Sequence, residues 1–172
     1  VSLHLPMILA KSRSENRDFY EVLDFYLEMI RHLHIRTYDY LGEMRASTNP
    51  LAYCEGGFYG GHLKPSDKIK PLLKPMTASF GITALNELQE LYNGKSIRED
   101  GEFALEVLRY INDKINQYKE EDGNLYAIYG TPADLSSWMD LVERVSWNFP
   151  GLETPEKLAE HRNTVLRFMG DH

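Results

Sequence analysis

The chain has 172 residues, of which 42% are hydrophobic and 26% charged, proportions that exclude a disordered segment and fit one globular domain with a real core. A formal net charge of -7 argues against a broad nucleic-acid footprint, which needs clustered Lys and Arg. One cysteine excludes an internal disulfide, and no apolar run approaches the roughly 20 residues that span a bilayer, so a cytoplasmic protein without membrane or nucleic-acid partners is expected.

In chain order, Val1 to Leu5 alternates apolar and polar residues and predicts a strand. A start without Met, directly on a strand, points to a piece of something longer. Ser14 to Asn16 offers a helix cap, and Phe19, Val22, Leu23, Tyr26, Met29, Ile30, Leu33 and Leu41 then recur at helical spacing up to Gly42. His32 and His34 on that helix are two positions apart and face different ways, which argues against a shared metal. Leu51 to Tyr53 reads as a short buried strand, and Gly56 to Pro75 as a loop. The lysines of that loop, Lys64, Lys68, Lys70 and Lys74, are broken up by prolines and read as solvated.

Gly56, Gly57, Gly60 and Gly61 crowd one short stretch beside Cys54, a density that permits positive φ and close backbone approach. No phosphate-loop pattern is present, which leaves a tight turn after a buried strand as the plainer reading. Cys54 has no neighbouring His or metal cluster in sequence to activate it, and reads as a small packed residue before a nucleophile.

Ala78 to Thr83 predicts a second strand, followed by a helix with Leu85, Leu88 and Leu91 on one face and Gly94 as its stop. Asp100 can cap a further helix whose face is Phe103, Val107, Leu108, Ile111, Ile115 and Tyr118, broken at Glu120 to Asn124. Leu125 to Tyr129 predicts a third strand. Strands alternating with helices in this way imply parallel pairing and an α/β fold.

The third strand runs straight into Gly130-Thr131-Pro132-Ala133-Asp134. Thr131 suits an N-cap, Pro132 the first helical position, and Asp134 the capping-box acid, so a helix is expected to open at the strand's carboxyl end. Its free N–H donors and partial positive charge suit a phosphate, while the Asp134 carboxylate competes for the same donors as a plain helix cap. Both readings stand on the residues alone.

Val1 to Pro6, Asn49 to Gly61, Thr77 to Glu87 and Tyr126 to Ala133 follow one another in the order and approximate spacing of the anaerobic, glycyl-radical ribonucleoside-triphosphate reductases. The resemblance covers residues 1–133 and implies a fragment of a ten-stranded α/β barrel. It also implies that Thr131, Pro132, Ala133 and Asp134 hold substrate phosphates. The chemistry implied is reduction of a ribonucleoside triphosphate at its 2′ carbon through a thiyl radical, serving deoxyribonucleotide synthesis for DNA replication. Formate is the reductant, and a radical-SAM activase is the family partner.

This sequence departs from that pattern. It has His4 where the family carries Asn, Asp134 where it carries Glu, and too few cysteines for the four-cysteine zinc site. The glycyl-radical motif and the radical-bearing cysteine have no counterpart here, and Cys54 does not match the latter's position. The chain alone is therefore expected to be inactive, and unpaired strand edges to favour self-association.

Residues 134–172 are expected to form a second, helical region. Both tryptophans, Trp138 and Trp147, lie there, whereas all the tyrosines precede Gly130. Residues 130–172 resemble the first helices of a GNAT-type acetyltransferase, though without its glycine-rich pyrophosphate loop. A remnant of such an enzyme, or a non-catalytic α/β interaction module, are the alternative functions.

Overall fold

The computed structural model describes residues 1–58 and 60–130. Three strands, β1 (Ser2–His4), β2 (Thr77–Thr83) and β3 (Leu125–Gly130), form a parallel sheet in the order β1-β2-β3. The expected α/β class is therefore observed, the described residues being helix-rich with a small parallel sheet. Ser2 pairs with Gly81 and Gly81 with Tyr129, so one row crosses all three strands.

A helix that the sequence reading missed, α1 (Leu5–Glu15), begins directly at the end of β1. The His4 imidazole caps it, with Nδ1 accepting the Met7 N–H at 3.3 Å, and Asn16 ends it in the left-handed region at φ 50°. Ser14 to Asn16 thus closes one helix instead of opening the next. The next helix, α2 (Phe19–Gly42), is capped by Asp18, whose Oδ1 accepts the N–H groups of Tyr20 at 2.8 Å and Glu21 at 3.2 Å.

Leu51 to Tyr53 is not a strand. Asn49 accepts the Ala52 N–H at 3.2 Å and Pro50 occupies the first turn, so the segment forms the short helix α3 (Pro50–Tyr53), with no buried residue. The expected loop from Gly56 to Pro75 likewise contains a short helix, α4 (Lys70–Leu73), and an antiparallel bridge from Arg45 to Lys68. In the crossover from β2 to β3, α5 (Leu85–Asn93) stops at Gly94 with φ 78° and α6 (Glu102–Asp122) at Gly123 with φ 66°. Asp100 does contribute to the start of α6, accepting the Glu102 N–H at 3.2 Å.

The main core lies between the helices and one face of the sheet. Leu3, Ala78, Phe80, Ile82 and Tyr126 point into it from the strands and meet Val22, Leu23, Leu27 and Ile30 of α2 and Val107, Ile111, Ile115 and Tyr118 of α6. The alternation of side chains along a strand sends the others to the opposite face. The helical faces are narrower than the spacing suggested, since Met29, Leu33 and Leu91 are about half exposed and Leu27 is buried instead. Among the described residues, no helix is long and apolar enough to cross a membrane.

Candidate functional site

The face of the sheet turned away from the helices carries Ser2 and His4 on β1, Thr77, Ser79, Gly81 and Thr83 on β2, and Leu125, Ala127 and Tyr129 on β3. All but Gly81 are exposed or half-buried. A parallel sheet buried on both faces shows continuous apolar runs, whereas Thr77 to Thr83 alternates small polar with apolar residues, so β2 does not read as a strand with two apolar faces.

The carboxyl ends of the strands converge at His4, Thr83 and Gly130, with His4 paired to Thr83 and Ile82 to Gly130. Ligands in parallel α/β sheets bind at this edge, where helices start and loops depart. Two helices start there, α1 after His4 and α5 after Ala84. Ala84 sits in the left-handed region at φ 63° and ψ 48°, a strained conformation for a non-glycine residue, and it gives α5 no side-chain cap. The third strand leads to Thr131, Pro132, Ala133 and Asp134, which lie outside the described residues. Gly130, the residue that delivers the chain to that turn, is half-buried and pairs with Ile82.

Tyr129 and Ser2 meet across the middle strand. Their hydroxyls are 3.4 Å apart, and a Cβ at Gly81 would lie 2.3 Å from Ser2 Oγ and 2.9 Å from Tyr129 Cζ. The sequence signal for this was a glycine inside a strand, which marks a close approach. Its significance could not be read without the register.

The glycine-rich stretch is a self-contained turn. Gly56 donates to the Gly61 carbonyl at 2.9 Å and Gly57 to the Leu51 carbonyl at 3.2 Å, while a Cβ at Gly57 would lie 2.8 Å from Leu51 O and one at Gly61 2.6 Å from Leu72. These glycines admit the chain's own atoms. Cys54 is half-buried in a small satellite cluster with Ala46, Ile69, Leu73 and Met76, and its carbonyl bonds His62 Nδ1 at 3.2 Å. Met76 immediately precedes β2, so this cluster lies at the amino end of the sheet, away from the edge where His4, Thr83 and Gly130 converge.

That amino end also has a groove of about 450 Å³ lined by residues including Tyr38, Lys70, Lys74 and Asn124. Beside it, Arg31 forms a network with Asp122, Glu121 and Glu28 and lies 4.5 Å from the centre of the Tyr118 ring. The Arg31 guanidinium holds the Asp122 carboxyl below its ordinary range. His34 donates to the Ser79 carbonyl at 3.1 Å, because a carbonyl can only accept, and its burial lowers the imidazole pKa against the opposing effect of that bond. Among the described residues no group of three or more His, Cys, Asp and Glu could hold a metal ion.

The profile of the family described as anaerobic ribonucleoside-triphosphate reductase matches residues 1–139. The chain belongs to this family. The anaerobic ribonucleoside-triphosphate reductase of Salmonella typhimurium is 28% identical over 143 residues, 78% of this chain and 20% of the relative. The corresponding Escherichia coli protein is 27% identical over the same span and shares. The chain thus spans about one fifth of the length of the reductases it matches. The match runs through Thr131 to Asp134, so these residues lie within the reductase-like region of the sequence. With one cysteine, which packs in the satellite cluster, the chain does not fit the four-cysteine zinc site that the family implies.

Proposed function

We propose that this chain is the portion of an anaerobic ribonucleoside-triphosphate reductase that carries the substrate's triphosphate turn, with Thr131, Pro132, Ala133 and Asp134 receiving the phosphates. The observation that carries this reading is the delivery of Gly130, within the family match, to the carboxyl edge of a parallel sheet. At that edge a helix start offers unpaired N–H donors to an anion. The open face with Ser2, His4, Thr83 and Tyr129 supports a second element of the reading, that the sheet is a section of barrel wall whose polar side lines the interior.

In this proposal the chain supplies binding and orientation, and the reducing chemistry belongs to the longer protein. The radical, the thiol that carries it and formate act there on the ribose 2′ carbon. Cys54 lies at the amino end of the sheet, away from the proposed phosphate site. An activase partner and the role in deoxyribonucleotide synthesis belong to the same proposal, as does inactivity of the chain by itself.

Calorimetric titration of the 172-residue chain with a ribonucleoside triphosphate tests the reading. Binding is expected, with inorganic triphosphate competing and the unphosphorylated nucleoside much weaker. Replacing Thr131 by Val and Pro132 by Gly, with Asp134 kept, is expected to abolish it. No binding by the unaltered chain at millimolar nucleotide would reject the phosphate reading and leave Thr131 as a plain helix cap.

A further inference from the structure

We propose that the groove at the amino end of the sheet binds a small zwitterion with an apolar body, of the class of an α-amino acid with an apolar side chain. This stands independently of the triphosphate reading.

The groove lies between the second half of α2, the helix α4 and the junction of α6 with β3, and its volume of about 450 Å³ is that of a small-molecule site. α4 supplies the cations. Lys70 opens that helix and Lys74 follows its last residue with helical φ -55° and ψ -40°, so the two lie one turn apart on the same side. Both line the groove, and among the described residues neither ammonium has a hydrogen bond or an ion pair. Lys11, Lys68, Lys95 and Lys114, by contrast, each meet a carboxylate. Lys70 feels the charge of Glu43, but Lys68 holds that group. The Lys70 stem rests on Gly42, where a Cβ would lie 3.3 Å from Lys70 Cγ. In the sequence these lysines read as solvated, whereas the fold sets two of them beside a concave surface.

The other two elements supply acceptors. Asp39 of α2 shares the groove with both lysines, yet among the described residues it has no ion pair. Asp122 is already taken up by Arg31 and Tyr126. Asn124 gives its side-chain N–H to the Tyr126 hydroxyl at 3.3 Å, which leaves its amide oxygen as an acceptor. α6 ends at Gly123 in the same place, and a helix C-terminus carries partial negative charge. The remaining lining is apolar: buried Leu73, half-buried Ile35, and Tyr38, whose hydroxyl is engaged by the Met76 carbonyl at 3.1 Å.

Opposite charges that line one groove without pairing are left for whatever occupies it. A simple anion would answer the two ammoniums and leave Asp39 unanswered, and a simple cation would do the reverse. A ligand that carries both charges on an apolar body matches every part of the lining. Its carboxylate would lie at Lys70 and Lys74, its ammonium at Asp39 and Asn124, and its side chain on Leu73 and Ile35.

The test is calorimetric titration of the 172-residue chain with L-leucine and with L-phenylalanine, with thermal unfolding measured alongside. Saturable binding and a raised Tm are expected, because a ligand held by three elements of the fold stabilises it by mass action. Phenylpropionate, which lacks the ammonium, and phenethylamine, which lacks the carboxylate, should bind about tenfold more weakly than L-phenylalanine, the scale of one lost charged hydrogen bond. Lys74→Gln and Asp39→Asn should each weaken amino-acid binding by about the same factor. Both residues are exposed, so the urea midpoints of these variants should be unchanged. Asp39→Asn should also leave phenylpropionate binding as it was, since that ligand has no ammonium for Asp39 to hold. Failure of both amino acids to bind at millimolar concentration would overturn the proposal. Phenylpropionate binding as tightly as L-phenylalanine would overturn it too, by making the groove a plain anion site, as would displacement of L-leucine by inorganic triphosphate.

Discussion

The Arg31 guanidinium grips Asp122 at two points, Nε to Oδ2 at 2.9 Å and Nη2 to Oδ1 at 2.6 Å, and so ties the middle of α2 to the last residue of α6. Tyr126, the second residue of β3, donates its hydroxyl to the same carboxylate at 2.8 Å. The start of β3 is therefore held by a nearly buried ion pair, with side chains only 15% and 12% exposed. At its far end the Tyr129 hydroxyl lies 3.4 Å from that of Ser2.

This pairing predicts an asymmetry between single and double substitutions. Arg31→Met leaves Asp122 buried beside Glu121 without its cation, and is expected to cost about 3 kcal/mol, in the range for breaking a buried pair. The double variant Arg31→Met with Asp122→Leu removes both charges and should recover much of that loss. Urea denaturation of the two variants checks this; equal destabilisation would mean that the pair carries no coupling.

The pH dependence should show two separate windows. His34 has its imidazole pKa lowered in the fold from 6.5, chiefly by burial, so below 6.5 the unfolded chain binds more protons than the folded one. Stability is therefore full above that value and falls as pH drops through it. Asp122 is also lowered, from 3.8, so its contribution is intact above 3.8 and is lost only as pH falls through its lower folded value. Urea midpoints measured from pH 8 to pH 5 should decline in the unaltered chain and decline less in His34→Asn. An equal slope in both would show that His34 is not the group titrating.

The glycine-rich turn makes a ranked prediction. At Gly57 an added Cβ meets the Leu51 carbonyl oxygen, which is backbone and cannot swing aside, so Gly57→Ala should cost about 1–3 kcal/mol, as overpacking does. Gly60 has open space around it but a φ of 67°, so Gly60→Ala should cost only about 1 kcal/mol of left-handed strain. Thermal unfolding of both variants checks the order, and a reversed order would contradict the turn geometry.

Much of this arrangement was legible in the residues. Periodicity located β1, β2, β3, α2, α5 and α6, because each has an alternating or helical apolar pattern ended by a recognisable break such as Gly94 or Gly123. It missed α1 because Leu5-Pro6-Met7-Ile8-Leu9 is a continuous apolar run, which periodicity cannot assign, and the capping role of His4 is unusual for that residue. It misassigned Leu51 to Tyr53 although Asn49-Pro50 is a helix-start signal, because three apolar residues after a polar stretch look like a buried strand. In the candidate site, the capping pattern of Thr131 to Asp134 is a reading of the residues alone, and those residues lie outside the described ones. The partnership of Ser2 with Tyr129 was not legible, since it depends on a register between strands 127 residues apart.

The last prediction concerns Cys54. Reduction through a thiyl radical needs a thiol at the sugar, so a lone cysteine in a chain of this family invites assignment to that role. The geometry opposes it: Cys54 packs with Ala46, Ile69 and Met76 ahead of β2, whereas the proposed phosphate turn follows β3 at the other end of the sheet. Cys54→Ala should therefore leave ribonucleoside-triphosphate affinity within twofold of the unaltered chain, and should lower stability by about 1 kcal/mol, the scale of a small loss of partly buried volume. Thiol alkylation gives an independent check, since a bound triphosphate should not slow the reaction of Cys54 with iodoacetamide. Protection of that thiol by nucleotide would put the ligand at the amino end of the sheet and remove the proposed turn as its site.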